Sequence, residues 1–378
     1  MPRPREIQVS LLNIDDREEL GALWTDLQSR SEHSFFTSWS WISCWLRQLP
    51  GNLRPQILLA ENNAGVVGLA IVHRRQTHRG KVIPSRVLYL NETGDEAWDM
   101  LTIEHNSILA DRSVAAEVHR ACLNFLVESC RGWDEFYAPG VDVDSALDRV
   151  LADPPEGIRC KVEKQCPCYM VDLNALRESG QSYLSKLSTH TQKQIRKSIR
   201  LYEDSGSLQM DCASTIDEAL QFYEGLKTLH QSHWVARGEP GAFGSEFTDA
   251  FHKSLIESCI PRGEIQLLRI RTGETAIGYN YNFVHEGRVL AYQTGFAYDD
   301  NNSKKPGLVS HALAIQHNVE QGASVYDFLG GDARYKQSLG QAGPQIRWTV
   351  WQRSRLRFQV EDWLRASKRR LAPLCGLA

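Results

Sequence analysis

The chain has 378 residues, of which 42% are hydrophobic and 24% are charged, and its formal net charge is −3. These values are typical of a soluble globular protein long enough for two domains, and they exclude a global attraction to nucleic acid or to an anionic membrane. No apolar run has the length that a membrane span or a signal peptide requires, so we expect a cytoplasmic protein without integral membrane contact.

The first half of the chain alternates between helical and strand patterns. Apolar spacing predicts helices at residues 14–28, 42–49 and 115–130, and β-prone runs predict strands at 56–60, 66–73, 87–90 and 135–137. The aromatic run FFTSWSW at 35–41 fits two roles, either packing of the helix that follows or an aromatic wall beside a substrate cleft. Asp99, Glu104 and His105 are the only clustered polar candidates in this half, and a solvated loop explains them equally well.

The second half begins after a hydrophilic connection, from Pro154 to Lys164, with a predicted strand at residues 168–173. The next predicted helix, residues 183–204, carries six basic residues and no acidic residue between Lys186 and Arg200. Intrahelical ion pairs normally interleave the two signs, so this face is either a solvated basic surface or a contact for a phosphate-bearing cofactor or an acidic partner. Helices at 216–229 and 245–258 follow, and the segment HQSHWVARG after the first of them is predicted to be a loop.

Residues 278–336 are predicted to form a β-hairpin, a loop, a helix and a buried strand, and the candidate site is built around them. Two β-prone runs, 278–284 and 288–297, meet across His285-Glu286-Gly287, which predicts a hairpin. A polar loop ends at Pro306-Gly307, where a helical pattern begins, and a buried strand follows at 325–329. Because the first amides of a helix are unpaired, a phosphate could bind at this helix start.

A last strand at 347–352 and a basic C-terminal helix at 361–370 complete the prediction. The order of elements is that of an α/β (α+β) protein. The two halves repeat the same coarse order, which predicts a structural duplication with modules at residues 1–165 and 166–378.

Four segments carry a resemblance to a known family: FFTSWSWISCWL, LSTHTQKQIRKSIRLYE, HQSHWVARGEPGAF and KKPGLVSHALAIQHNVEQGASVYDFLGGDARYKQSLG. They resemble the CelD/BcsL-like acetyltransferases, whose C-terminal module is the BioF2-like acetyltransferase domain of the GNAT superfamily. The resemblance extends from Phe35 to about Trp351 and is densest from Ser185 to Lys336. It implies two GNAT-like folds in tandem, with a mixed, mostly antiparallel sheet flanked by helices and with acetyl-CoA or another acyl-CoA bound by the second fold.

The resemblance also implies where the cofactor binds. GNAT enzymes carry an Arg/Gln-x-x-Gly-x-Gly/Ala loop before a helix, whereas this chain has NSKKPGLV at 302–309, which keeps one glycine and lacks the second. The remaining glycine permits close approach, the helix start supplies amides and the lysines supply charge, although an ordinary Pro-Gly helix start explains the same segment without a ligand. Backbone N–H groups of the preceding strand would polarise the thioester carbonyl. The positions assigned to the cofactor are Tyr292, Gln293, Thr294, Lys304, Lys305, Gly307, Leu308 and Val309.

Acyl transfer to an amine needs a base, because the attacking nitrogen must be neutral. His233 is the first choice, since it lies in the predicted loop and its ordinary pKa is near the working range, and His230 and Glu239 are rivals. The nine cysteines form neither a nucleophile motif nor a Cys/His cluster, which predicts direct attack, reduced thiols and no metal site.

Three residues that follow the predicted helix beginning at Pro306-Gly307 complete the site that the resemblance implies. Asp327, at the end of a buried strand, either orients the amine or caps the following loop. Tyr335 and Lys336 match the family's Tyr-Lys pair, so Tyr335 could protonate the leaving thiolate, or the pair could hold the acceptor or the cofactor phosphate.

The leading hypothesis is therefore an acyl-CoA-dependent N-acyltransferase that modifies a small-molecule amine, with an amino sugar as the first choice of acceptor. The family is related to the Fem-type transferases, so an aminoacyl-tRNA-dependent transferase is the alternative, in which the basic helix would contact RNA. The chain lacks the long heptad pattern of the helical hairpin that many Fem-type enzymes carry in the second module. A non-catalytic ligand-binding protein on a GNAT-like fold is the third possibility, and no hypothesis involves DNA.

Overall fold

The computed structural model describes residues 6–80 and 82–361. The elements before residue 158 are β1 (Gln8–Asn13), α1 (Arg17–Gln28), α2 (Trp39–Gln48), β2 (Gln56–Asn62), β3 (Gly65–Arg79), β4 (Ile83–Leu90), α3 (Glu96–Asp99), β5 (Leu109–Ala110), α4 (Ala115–Glu128), β6 (Glu135–Asp142) and α5 (Ala146–Ala152). The C-terminal helix expected at 361–370 lies outside the described residues except for its first position.

A long strand, β7 (Ile158–Asp172), leads into the second half. The elements that follow are α6 (Leu173–Ser179), α7 (Tyr183–Lys186), α8 (Thr189–Glu203), β8 (Leu208–Cys212), α9 (Ile216–Val235), α10 (Glu246–Cys259), β9 (Ile265–Thr272), β10 (Thr275–His285), β11 (Arg288–Phe296), α11 (Pro306–Glu320), β12 (Val325–Gly330), α12 (Arg334–Leu339) and β13 (Gln341–Arg353). None of the helices in the described ranges combines the length and the apolar character that crossing a bilayer requires.

The strands form one continuous sheet in the order β1-β2-β3-β4-β6-β13-β7-β12-β11-β10-β9-β8, with β5 beside β3. In each half, four antiparallel strands are followed by one short parallel pairing, β4 with β6 and β11 with β12. The antiparallel pair β13 and β7 joins the halves, because β13 lies against β6 and β7 lies against β12. The predicted mixed, mostly antiparallel sheet flanked by helices is confirmed, and the two halves repeat one strand order.

The predicted boundary between the two modules, at residues 165 and 166, falls inside a single strand. This strand is β7, which pairs with β13 from Ile158 onward. The predicted hydrophilic connection is therefore mostly a strand, whose solvent-facing polar side chains concealed it. The division into two modules stays a prediction, since the β7–β13 pair belongs structurally to both halves.

Helices cover the two faces of the sheet and bury separate cores. Phe35, Phe36 and Trp41 are at most 2% exposed and pack against the second half, where Phe283 stacks on Phe35 with ring centroids 4.3 Å apart. The aromatic run therefore packs α2 and holds the halves together, and it does not line the cavity between β11 and β12 that is described below. On the other face of the second half, α8 and α11 enclose a core that includes Ile195 and Ile315.

Two helix predictions differ from the structure. The helix predicted at 183–204 is two helices, because the Ser188 side chain accepts the N–H of Thr191 and caps a new start. The helix predicted to end at residue 229 continues through Val235. The segment HQSHW is therefore the last part of α9 and not a loop.

Candidate active site

A cavity of about 690 Å³ opens where β11 and β12 separate. The two strands pair only between Arg288–Leu290 and Val325–Asp327, so the rest of β11 has no neighbouring strand on that side. We call this space the β11–β12 cavity. Its lining residues are His230, His233, Trp234, Arg237, Ala291, Tyr292, Gln293, Thr294, Phe296, Tyr298, Asp299, Asn302, Lys304, Lys305, Pro306, Gly307, Leu308, His311, Ala333 and Tyr335.

A β-bulge lies at the inner end of the cavity. Tyr281 pairs with Gln293 and Asn282 pairs with Ala291, so Tyr292 is the extra residue in β11. A bulge bends the strand and leaves the extra residue outside the regular ladder. The Tyr292 hydroxyl donates to the Leu101 carbonyl at 2.7 Å and ties the bulge to the first half.

The start of α11 forms the second wall. The Lys305 amide donates to Ser198 Oγ at 2.9 Å and the Val309 amide donates to the Lys305 carbonyl at 3.1 Å. Pro306 has no N–H, and no side chain caps the helix. The amides of Gly307 and Leu308 are therefore the two helix-start donors without a partner among the described residues, and they lie where an anion would be stabilised.

The structure groups most of the predicted cofactor residues around this cavity and leaves one out. Seven of the eight line it, and Val309 does not, because its side chain is 0% exposed and its amide is already bonded within the helix. Lys304 forms an ion pair with Asp299 at 2.8 Å, whereas Lys305 has no acidic partner among the described residues. Lys305 is thus the more available positive charge.

The end of α9 forms the third wall. The His230 Nδ1–H donates to the Thr294 carbonyl at 2.9 Å, and its Nε2 accepts the Ala242 N–H at 3.2 Å. Both ring nitrogens are occupied, so His230 is a neutral structural residue. His233 stacks on Tyr298 with ring centroids 4.3 Å apart, and burial together with the positive charge of Arg237 lowers its pKa.

His233 contacts the part of the cavity beyond the end of β11. Its ring stacks on Tyr298, two residues after the last residue of the strand, whereas His230, one helical turn earlier, contacts Thr294. His233 therefore lies in a helix at the outer end of the cavity, and not in a loop beside its inner end. Glu239, the other rival for the base, lies in the turn beyond α9 and does not line the cavity.

The three residues predicted around β12 and α12 have different surroundings. Asp327 is fully buried within β12 and does not line the cavity: it pairs with Arg288 at 2.8 Å and accepts the Leu329 N–H at 2.8 Å. Lys336 also lies outside the lining and donates to the carbonyls of Leu329 and Gly330 at 3.2 and 2.7 Å. Both residues hold the loop after β12 in place.

Tyr335 is the member of this group that lines the cavity. Its ring stacks on His311, with centroids 5.5 Å apart and 13° between the planes. Burial, with the neighbouring Tyr298 and Glu104, raises the pKa of Tyr335 to about 12, although 42% of the residue remains exposed. The phenol therefore keeps its proton at neutral pH and can donate it.

The first half contributes an acid that the sequence did not single out for catalysis. The Gly330 amide donates to Glu104 Oε2 at 2.6 Å, so this carboxyl contacts the end of β12, although it does not line the β11–β12 cavity. Burial raises the pKa of Glu104, and its negative charge raises the pKa of both Tyr292 and Tyr335. Glu104 and His105 are both partly buried, so neither lies in a solvated loop. Glu104 accepts the Gly330 N–H, and His105 Nδ1 contacts Asp142 Oδ1 at 2.6 Å. The adjacency of two titratable residues in the sequence indicated a possible site. Their partners, Gly330 and Asp142, are distant in the chain and could not be predicted from it.

Comparisons with known proteins identify the fold. A family model described as "Acetyltransferase (GNAT) domain" matches residues 189–337, so the chain contains a GNAT-type acetyltransferase domain. The structure is similar to the crystal structure of FemX, with a TM-score of 0.56 and 10% identity over 89% of this chain and 96% of that chain. It is also similar to L-PGS from Bacillus licheniformis, with a TM-score of 0.54 and 11% identity over 90% of this chain and 93% of that chain. No curated protein matches the sequence.

Proposed function

We propose that the protein is an acyl-CoA-dependent N-acyltransferase that acylates the amine of a small molecule or an amino sugar. The observation that carries the proposal is the convergence of two unpaired helix-start amides, the unpaired edge of β11 and the Tyr335 phenol on one cavity. These groups match three needs of thioester chemistry: an anion site, backbone donors for the carbonyl oxygen and a proton for the leaving sulfur. The resemblance to CelD/BcsL-like enzymes supports the same proposal.

Each wall of the cavity then has a role in acyl-CoA binding. The amides of Gly307 and Leu308, with Lys305, bind the pyrophosphate, and the free edge of β11 binds the extended pantetheine arm. Backbone N–H groups near Tyr292 stabilise the oxyanion. His233 and Tyr298 line the outer end and contact the nucleotide side of the ligand. The second glycine of the usual loop is dispensable here, because two open amides and a free lysine remain.

The transfer is a direct attack. The amine nitrogen bonds to the thioester carbon while a base takes its proton, the carbon–sulfur bond breaks, and Tyr335 protonates the thiolate. We assign the base to Glu104, a buried carboxyl that does not line the cavity but accepts the Gly330 N–H beside it and has a raised pKa; His233, which lines the cavity, is the other candidate. None of the cavity-lining residues is a cysteine, which favours direct attack over a covalent enzyme intermediate.

Calorimetric titration with CoA, acetyl-CoA and longer acyl-CoA thioesters tests the binding step. We expect binding of at least one of them, with an approximately tenfold loss in Lys305→Gln and no loss in the matched Lys193→Gln variant on the exposed face of α8. A thiol-release assay over amino sugars, amino acids and small amines then tests turnover. Absence of heat with every acyl-CoA would overturn the proposal.

An aminoacyl-tRNA-dependent transferase is the second candidate. Its support is the similarity to FemX and the exposed basic face of α8, which adjoins the cavity through the Lys197–Ser303 hydrogen bond at 2.9 Å. In that case Lys193→Gln and Arg200→Gln would weaken tRNA binding and reduce its salt dependence, while CoA would not bind. Acyl-CoA binding without thiol release from any amine would instead indicate a non-catalytic ligand-binding protein.

A further inference from the structure

A second cavity, of about 750 Å³, lies between the halves and shares no lining residue with the β11–β12 cavity. We call it the inter-half cavity. Residues of the first half, from loops and from the starts of α4 and α5, form most of it, and the tip of the β10–β11 hairpin closes one side. Three side chains with metal-binding atoms meet at this side: His33 from the first half, and His285 and Glu286 from the hairpin.

The geometry of the three residues is that of a ligand set. One ligand atom from each residue lies within 4.8 Å of the other two, and the two imidazole rings have centroids 4.6 Å apart. Two imidazoles and one carboxylate are a common set for Zn²⁺ and similar divalent transition metals. The sequence predicted no metal site because His33 and His285 are 252 positions apart.

Backbone carbonyls fix which nitrogen of each ring is free. His285 Nε2 contacts the His33 carbonyl at 3.1 Å, and a carbonyl only accepts, so Nε2 carries the hydrogen and Nδ1 carries the lone pair. His33 Nδ1 faces the Ser31 carbonyl at 3.5 Å, which leaves the lone pair on Nε2. That Nε2 is buried and has no hydrogen-bond partner among the described residues. A carbonyl on the far nitrogen of a metal-binding histidine is the usual supporting contact.

The carboxylate comes from a tight turn. Glu286 and Gly287 form the two-residue loop between β10 and β11, with φ of 48° and 77°. Both positive values belong to a type I′ turn, whose first position favours Asn, Asp or Gly. A glutamate is unusual there, and this one is exposed, beside the two imidazoles.

We propose that His33, His285 and Glu286 bind one divalent transition-metal ion, with Zn²⁺ as the fitting ion, and leave a fourth position open toward the inter-half cavity. The ion would link the loop before α2 to the β10–β11 hairpin and so fix one half against the other. A water or a ligand oxygen would fill the open position. The proposal is independent of acyl transfer, because it concerns a separate cavity and is read out by binding.

The test is metal binding to the full chain after removal of bound metal with EDTA. Titration with ZnCl₂ should show one equivalent, and CoCl₂ should give the visible absorption of a four-coordinate nitrogen–oxygen site. Glu286→Gln, at an exposed turn that keeps its shape, and His33→Ala should each weaken binding at least tenfold, whereas His190→Ala on α8 should not.

Circular dichroism verifies that each variant is folded. Binding weakened by both ligand variants and not by His190→Ala would support the site. Absence of stoichiometric Zn²⁺ binding, or equal binding by Glu286→Gln and the unsubstituted protein, would overturn it.

Discussion

Substitution of Gly295 by alanine tests how closely α9 must approach β11. A methyl group at this position would lie 2.3 Å from the Leu226 carbonyl oxygen and 3.1 Å from its carbon. These are backbone atoms of a helix, so no side chain can rotate away, and α9 must shift by about 1 Å to restore an ordinary contact of roughly 3.4 Å.

The free-energy cost has two parts. Overpacking of a well-packed core typically costs 1–3 kcal/mol. A shift of α9 also weakens the hydrogen bond from His230 to the Thr294 carbonyl, which is worth about 1 kcal/mol. We therefore expect Gly295→Ala to lower the free energy of unfolding by about 2–4 kcal/mol. The same shift moves one wall of the β11–β12 cavity, so CoA binding should weaken as well.

Urea denaturation followed by circular dichroism measures the first effect, and calorimetric titration with CoA measures the second. Gly51→Ala is the matched control, because a methyl group there meets nothing within 4 Å. If Gly295→Ala and Gly51→Ala had the same stability to within about 0.5 kcal/mol, the close approach of α9 to β11 would not be a packing constraint.

Three further predictions concern proton transfer and pH. Tyr335→Phe should keep the stack on His311 and the affinity for CoA but lower kcat by about 10²-fold, measured by thiol release, because the proton donor is lost. If Glu104 is the base, kcat should rise as the pH passes the raised pKa of this carboxyl, because only the deprotonated form accepts a proton. Glu104→Gln should abolish this rise, and a variant with an unchanged pH profile would exclude Glu104 as the base. Burial lowers the pKa of His252 to about 3 from its ordinary value of 6.5. Below pH 6.5 the unfolded chain therefore binds a proton that the folded protein does not, so the stability of the fold decreases as the pH is lowered. In urea titrations between pH 6 and 5, His252→Phe should reduce the pH dependence of the unfolding free energy by about 1.2 kcal/mol per pH unit.

Local patterns were sufficient for most of the secondary structure. The hairpin at His285-Glu286-Gly287 and the helix start at Pro306-Gly307 were predictable because their causes, turn chemistry and a missing N–H, act over a few residues. The predicted cofactor positions from Tyr292 to Leu308 surround one cavity for a related reason, since they are close in the chain and on adjoining elements. Val309 does not line that cavity, because its amide is already bonded to the Lys305 carbonyl within the helix.

What the sequence determined by itself, then, was the type of most of the elements, the repeated order of the two halves and the helix start that could bind an anion. Only the tertiary structure showed that β7 and β13 pair in the middle of the sheet, since strand pairing depends on long-range contacts that no local pattern contains. It also placed Glu104 beside Gly330, across 226 positions of the chain, and His33 beside His285. Such pairs depend on how the two halves pack, and this packing rests on contacts between residues hundreds of positions apart, which no local pattern of the sequence contains.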